Sequence, residues 1–367
     1  MTWAAPLFVH DDAPRVVVDA ARALRRAPFV PHVTARGPHR QTLLTAAPAR
    51  SPLALTAHAL PVDDRGTMVS VHVPEGHVHA RTAPVVVIVH GLGGGLDSPY
   101  MTRLARKVLA RGATPVLVEL YPTGTRGRPP IFHAGNHALL NVVVDRVRER
   151  FATPSLSVVA VSLGGNIALR ALADEGARAR FDRAAVISPL VDLMGTYRAL
   201  ERPSARVYRT AFLRSLCARV RADEALFAPH VDLDSVYRAR TVRAFDAAFA
   251  APLGGYDDVW DYYRRAAALP TMAAISVPTL VLHAADDPLI PVEGALREEA
   301  RRSPNVLIAV TTHGGHAGFV AQRAMHGTDR RWAENSALAF VLDDVVRAPV
   351  DAGTRARAPS SREASIS

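Results

Sequence analysis

Five consecutive β-branched residues, Val85-Val86-Val87-Ile88-Val89, leave a chain few ways to fold. A strand with no polar side chain has no face for water, so it belongs inside a sheet covered on both sides, the usual setting of parallel strands. The run stops at His90-Gly91-Leu92-Gly93-Gly94-Gly95, and helix-like spacing follows over 98–109. The alternation then recurs. Apolar runs at 115–119, 156–161, 184–187, 279–283 and 306–310 are interleaved with helix-like segments at about 134–150 and 163–172. This predicts an α/β fold with a mostly parallel central sheet flanked by helices. Between the runs at 184–187 and 279–283, residues from about 191 to 273 show helix-like spacing and no strand run, which predicts a helical cap over the carboxyl edge of the sheet. Upstream, 53–60 and 67–73 flank Asp63-Asp64-Arg65-Gly66 and read as a hairpin. The expected division is an N-terminal extension over 1–50, packed on the domain through an amphipathic helix at 12–27, then the domain over 51–350, then a polar, disordered tail over 351–367.

Several function classes drop out on composition and patterning. No apolar run approaches the ~18 residues that span a bilayer, so stable membrane insertion is not expected. The first 14 residues carry aspartates and an early proline where a secretion signal needs a basic start and a long apolar stretch, which makes cytoplasmic residence the default. Cys217 is the one cysteine, so neither an internal disulfide nor a cysteine zinc site can form, and its place in a helix-like segment reads as buried filler. The net charge of +10 comes almost wholly from arginines scattered over helices, with Lys107 as the one lysine. No basic-aromatic module accompanies them, so nucleic acid is not an expected partner. Composition leaves the oligomeric state open.

Chemistry concentrates where the run at 156–161 meets Ser162-Leu163-Gly164-Gly165-Asn166. A serine on a sharp strand-to-helix turn between small residues exposes its hydroxyl as a nucleophile. The pattern here is A-x-S-x-G, with Ala160 in place of the usual first glycine. A serine hydroxyl needs a base to take its proton, and that base needs a carboxylate to hold its tautomer. Both follow at later strand ends. Asp286-Asp287-Pro288 stands just beyond the run at 279–283, and His313-Gly314-Gly315-His316 just beyond 306–310. Asp287, four residues before Pro291, is the preferred acid, with Asp286 the second choice. His316 is the preferred base over His313, while His90 and His133 read as structural hydrogen-bonders. The backbone N–H groups of Leu92 and Leu163 are candidates for an oxyanion hole. The same glycine-rich loop fails as a dinucleotide fingerprint, because Leu96 stands at its third glycine, and no lysine makes a P-loop. No cofactor and no metal are expected; His313 and His316 lack a third ligand.

Taken together, these residues carry a resemblance. His39-Arg40-Gln41-Thr42, His90-Gly91-Leu92 with Ser98-Pro99-Tyr100, Phe132-His133-Ala134-Gly135, Ser162 to Asn166, Arg243-Ala244-Phe245-Asp246, Gly255-Tyr256-Asp257 with Asp261-Tyr262-Tyr263, and the aspartate and histidine loops are similar to the α/β-hydrolase superfamily and, within it, to the YheT-like branch. The likeness runs from about residue 39 to beyond Phe319. It implies an α/β-hydrolase fold, a triad of Ser162, Asp287 and His316, and hydrolysis of carboxylic esters, with small-molecule short-chain acyl esters or lipids as candidate substrates. A thioesterase or acyltransferase would use the same residues, and a non-catalytic binding module on this fold is the further alternative. The chain departs from the branch at Ala160, at Tyr121-Pro122-Thr123-Gly124 and at Asn136-His137-Ala138. These positions lie around the expected pocket and bear on substrate preference. The chemistry of His39-Arg40-Gln41-Thr42 is not readable from composition.

Overall fold

The computed structural model describes residues 7–47, 53–64, 66–123, 131–174, 177–324 and 329–346. The expected tail at 351–367 and the expected turn residue Gly124 lie outside them. Among the described residues nine strands form one sheet: β1 (Leu7–Phe8), β2 (Leu55–Pro61), β3 (Met68–Pro74), β4 (Val85–Val89), β5 (Thr114–Thr123), β6 (Leu156–Val161), β7 (Arg183–Ile187), β8 (Thr279–Ala284) and β9 (Val306–Thr311), in the spatial order β1-β9-β8-β7-β6-β4-β5-β3-β2. Strands β4 to β9 are parallel to their neighbours in this set. The hairpin β2–β3 adds antiparallel to β5 at one edge.

The all-apolar runs behave as their composition requires. Every residue of β4, β6, β8 and β9 is buried. Because side chains alternate across a strand, Val85, Val87 and Val89 enter one core layer while Val86 and Ile88 enter the other. The first layer is filled by helices His137–Phe151 and Leu163–Ala173, the second by helices Arg15–Arg26, Pro99–Leu109 and Trp332–Val346. Helix Arg15–Arg26 packs through Val17, Ala21 and Leu24, with its arginines left outside.

Two features differ from the sequence reading. The N-terminal extension also contributes a strand, β1, whose Leu7 and Phe8 pair antiparallel with Ala309 and Ile308 of β9. Two residues give no periodicity to detect, and the partner lies some three hundred positions away. The second parallel strand also extends through Tyr121 to Thr123 instead of turning after Glu119. Between β7 and β8 the chain forms only helical segments, from Leu193–Glu201 through Arg206–Ala222 and Val259–Ala266 to Leu269–Ala274. This is the helical cap, and Cys217 is buried within it.

The edge between helices Pro99–Leu109 and Trp332–Val346 carries a charge cluster. Glu334, 6% exposed, receives Lys107 at 2.6 Å and Arg103 at 2.8 Å, and Lys107 also reaches Asp329 at 2.9 Å. Removing one member of a buried ion network leaves the others desolvated without compensation. Glu334→Ala is expected to lower stability by about 3 kcal/mol, seen as a fall in Tm in thermal denaturation; an unchanged Tm would show that Arg103 and Lys107 find other partners.

Candidate active site

Ser162 follows β6 directly and caps helix Leu163–Ala173, with φ 57° and ψ −120°. Positive φ on a non-glycine residue is strained and persists only where the surroundings over-determine it. The surroundings here are tight. A Cβ on Gly164 would come within 2.4 Å of the His90 carbonyl oxygen, and one on Gly165 within 2.9 Å of the Pro189 side chain. Glycine at both positions lets the helix start close against the ends of β4 and β7. The Ser162 N–H is held by the Ile187 carbonyl at 2.9 Å. Ala160, within β6, is fully buried.

The aspartate and histidine loops meet this serine. Ser162 Oγ lies 3.0 Å from His316 Nε2, and His316 Nδ1 lies 2.8 Å from Asp287 Oδ2. The second oxygen of Asp287, Oδ1, accepts the N–H groups of Leu289 at 2.8 Å and Ile290 at 3.0 Å. Burial alone would push this carboxyl up, but the imidazole of His316 and these hydrogen bonds hold its pKa below the ordinary aspartate value. Asp286 points elsewhere. It accepts the Gly315 N–H at 2.9 Å and pairs with His313 Nδ1 at 3.2 Å, bracing the histidine loop from outside. Neighbouring aspartates of identical chemistry are thus separated by the turn that carries them.

Leu163 follows Ser162 directly, and Leu92 belongs to the glycine-rich loop beside it. A Cβ on Gly91 would meet Ser162 Cβ at 2.9 Å, so the glycine-rich loop lies against the serine. The Leu163 N–H, at the first position of its helix, has no intrahelical acceptor. The loop is fixed from two sides. Tyr100 Oη accepts the Gly91 N–H at 2.9 Å, and Arg219 of the cap donates to the Gly94 carbonyl at 2.9 Å while its guanidinium sits 3.8 Å over the Tyr121 ring. Leu92 and Leu163 also line a cavity of about 500 Å³ whose far walls are cap residues, among them Leu216, Phe227 and Phe249. His133 lines it too, its Nδ1 accepting the Gly135 N–H at 3.1 Å, and burial takes its pKa down to about 4. His90 is buried beneath the loop, stacked on Tyr121.

The segment that composition left unread, His39-Arg40-Gln41-Thr42, lies in helix Pro38–Thr45 and clamps the histidine loop. Thr42 Oγ1 accepts the His316 N–H at 2.9 Å, and the Thr45 hydroxyl donates to the His316 carbonyl at 2.9 Å. Gln41, fully buried, brackets Val320 with both ends of its amide. Arg103 in turn donates to the carbonyls of Thr45 and Ala47. Asn166 does a similar service for the elbow helix, donating to the carbonyls of Ala134 and Ala266 and accepting from the Ala268 N–H. None of these contacts has a local sequence signal beyond a polar residue among apolar ones.

Comparison with known proteins agrees with this architecture. A family model described as the alpha/beta hydrolase fold matches residues 84–321. YheT of Escherichia coli (strain K12), a candidate esterase by its name, is 30% identical over 276 residues, covering 74% of this chain and 80% of that protein. The chain is an α/β hydrolase of the YheT-like branch. Phospholipase ABHD3 of Homo sapiens is 26% identical over 249 residues, 66% of this chain and 60% of that protein, so the hydrolase spans less than two thirds of this relative. Among solved structures, that of puromycin hydrolase aligns with a TM-score of 0.50 at 17% identity, covering 80% of this chain and 39% of that one, a likeness of fold alone. No described helix of the hydrolase is long and apolar enough to cross a membrane.

The clamp on the histidine loop gives a direct test. Thr42→Val keeps the shape of the side chain but leaves the His316 N–H without its acceptor, at a cost of about 1–3 kcal/mol. The expected outcome is a lower Tm with an intact circular dichroism spectrum; no change would mean that the loop does not depend on this contact.

Proposed function

We propose that this hydrolase cleaves carboxylic esters through an acyl-enzyme, with Ser162 as nucleophile, His316 as base and then acid, and Asp287 as the group that orients His316. The observation that carries the reading is the continuous chain from Asp287 Oδ2 to His316 Nδ1 at 2.8 Å and from His316 Nε2 to Ser162 Oγ at 3.0 Å. As Ser162 Oγ bonds to the ester carbonyl carbon, its proton passes to His316 Nε2, and the carbonyl oxygen becomes an oxyanion facing the N–H groups of Leu163 and Leu92. The tetrahedral intermediate collapses, and the departing alkoxide takes that proton and leaves as the alcohol. Water, deprotonated by the same imidazole, then attacks the acyl-serine, and collapse returns the proton to Ser162 Oγ and releases the carboxylic acid. Asp287 holds the correct tautomer and stabilises the imidazolium in both halves.

The cavity supports a substrate class with an apolar acyl chain. Its volume of about 500 Å³ falls in the ordinary small-molecule range of roughly 300–1,000 Å³, and its walls are mostly aliphatic and aromatic. An apolar acyl chain fits such a space, as the names of the esterase- and phospholipase-type relatives also favour.

Ser162→Ala should reduce hydrolysis of an acyl p-nitrophenyl ester by several orders of magnitude, roughly 10⁶-fold if the groups act as a unit; activity within tenfold of the parent protein would refute the assignment. Asp287 supplies a second check. His316 helps hold its carboxyl below the usual carboxylate range, so it is ionised at neutral pH, and Asp287→Asn should lower kcat/KM by roughly 10⁴-fold by favouring the wrong tautomer. Activity within tenfold of the parent protein would contradict its orienting role.

A further inference from the structure

The cavity walls are mostly apolar, with His133, Arg219 and two carboxyls among them, of which Asp223 is exposed and Asp246 is half-buried. Asp246 opens a short π-helical turn, Asp246–Ala250, of the kind that recurs at functional sites, and it lines the cavity beside Tyr262 and Tyr263. Its Oδ2 accepts the Tyr263 hydroxyl at 2.8 Å, while among the described residues Oδ1 has no hydrogen-bond partner and no cation is paired with the group. A carboxyl is an odd wall for a purely hydrocarbon ligand. A plain chain lying against it would strip its water and return no hydrogen bond.

The environment also sets what Asp246 can bind. Burial pushes its pKa up to about 7, opposed only in part by the hydrogen bond from Tyr263, so both protonation states exist near neutral pH. The carboxylate form needs a donor and the acid form offers one. An ammonium group serves only the first and a ketone oxygen only the second, whereas a hydroxyl donates and accepts and so pairs with both.

We propose that Asp246 is a specificity-determining residue for esters whose acyl chain carries a hydroxyl group, bound with that hydroxyl on Asp246 Oδ1 inside the cap cavity. The inference rests on the esterase reading above. The apolar walls hold the chain, Tyr263 holds the carboxyl in place, and the free oxygen selects for the hydroxyl.

The test is a panel of p-nitrophenyl alkanoates of equal length, either plain or bearing a hydroxyl, amino or keto group at successive positions along the chain. The parent protein should prefer one hydroxylated ester over its plain counterpart by about tenfold in kcat/KM. Asp246→Leu should bring that ratio to about one, and Asp246→Asn, whose amide both donates and accepts, should keep part of it. A ratio that stays unchanged in Asp246→Leu, with both substrates slowed alike, would make the residue structural only and overturn the proposal. A preference for the plain, amino or keto esters would overturn it too. Binding of the free hydroxyalkanoic acids to Ser162→Ala, measured by calorimetry against their plain counterparts, separates the two readings: tighter hydroxyacid binding lost in Ser162→Ala/Asp246→Leu supports the Asp246 site even if no ester is turned over, and equal binding rejects it.

Discussion

The structure turns on the backbone of Ser162. Its φ of 57° costs on the order of 1–3 kcal/mol wherever it occurs in a non-glycine residue, and something must hold it there. The constraint is the close approach of helix Leu163–Ala173 to the ends of β4 and β7, possible because Gly164 and Gly165 present no Cβ to His90 and Pro189. Burial of all of β6 and most of the elbow helix fixes both arms of the turn. With both arms immobile, the residue between them has to take a positive φ. The same geometry lifts the hydroxyl off the sheet edge and leaves the Leu163 N–H at an open helix end.

Around that point the remaining groups are positioned by parts of the chain that are remote in sequence. The histidine loop is held on its N–H and C=O by Thr42 and Thr45, and the Thr45 carbonyl is secured by Arg103, which also joins the ion cluster on Glu334. The N-terminal extension is therefore a working part of the site. The glycine-rich loop is shared in the same way, with Tyr100 supporting it from the domain and Arg219 from the cap. Movement of helix Arg206–Ala222 would disturb the loop carrying Leu92 as well as the cavity wall, so cap position and site geometry are mechanically linked.

What could be read in the sequence follows the range of the interactions. The parallel strands were legible because burial on both faces writes itself into consecutive residues, as in Val85 to Val89. Ser162, Asp287 and His316 could be nominated because each stands immediately beyond such a strand. The two aspartates could be ranked only by spacing, since what separates Asp287 from Asp286 is a turn whose N–H groups at Leu289 and Ile290 point at one and not the other. Strand β1 and the clamp from Gln41, Thr42 and Thr45 were out of reach, because their partners sit some 270 to 300 positions downstream. Asp246 was visible as a motif residue, yet nothing local reveals that it faces a cavity. The substitutions at Ala160 and Tyr121 divide along the same line. Ala160 is simply absorbed into a buried strand, whereas Tyr121 becomes a platform for Arg219 and part of the cavity wall.

The most direct test of the account is to trap the covalent intermediate. Rapid acid quench of the protein during turnover of a p-nitrophenyl ester, followed by proteolysis and mass spectrometry, should find the acyl group on the peptide carrying Ser162 and on no other, with the adduct absent in Ser162→Ala. Steady turnover with the acyl group on a different residue would contradict the account, as would turnover with no acyl-protein even when its breakdown is slowed at low pH.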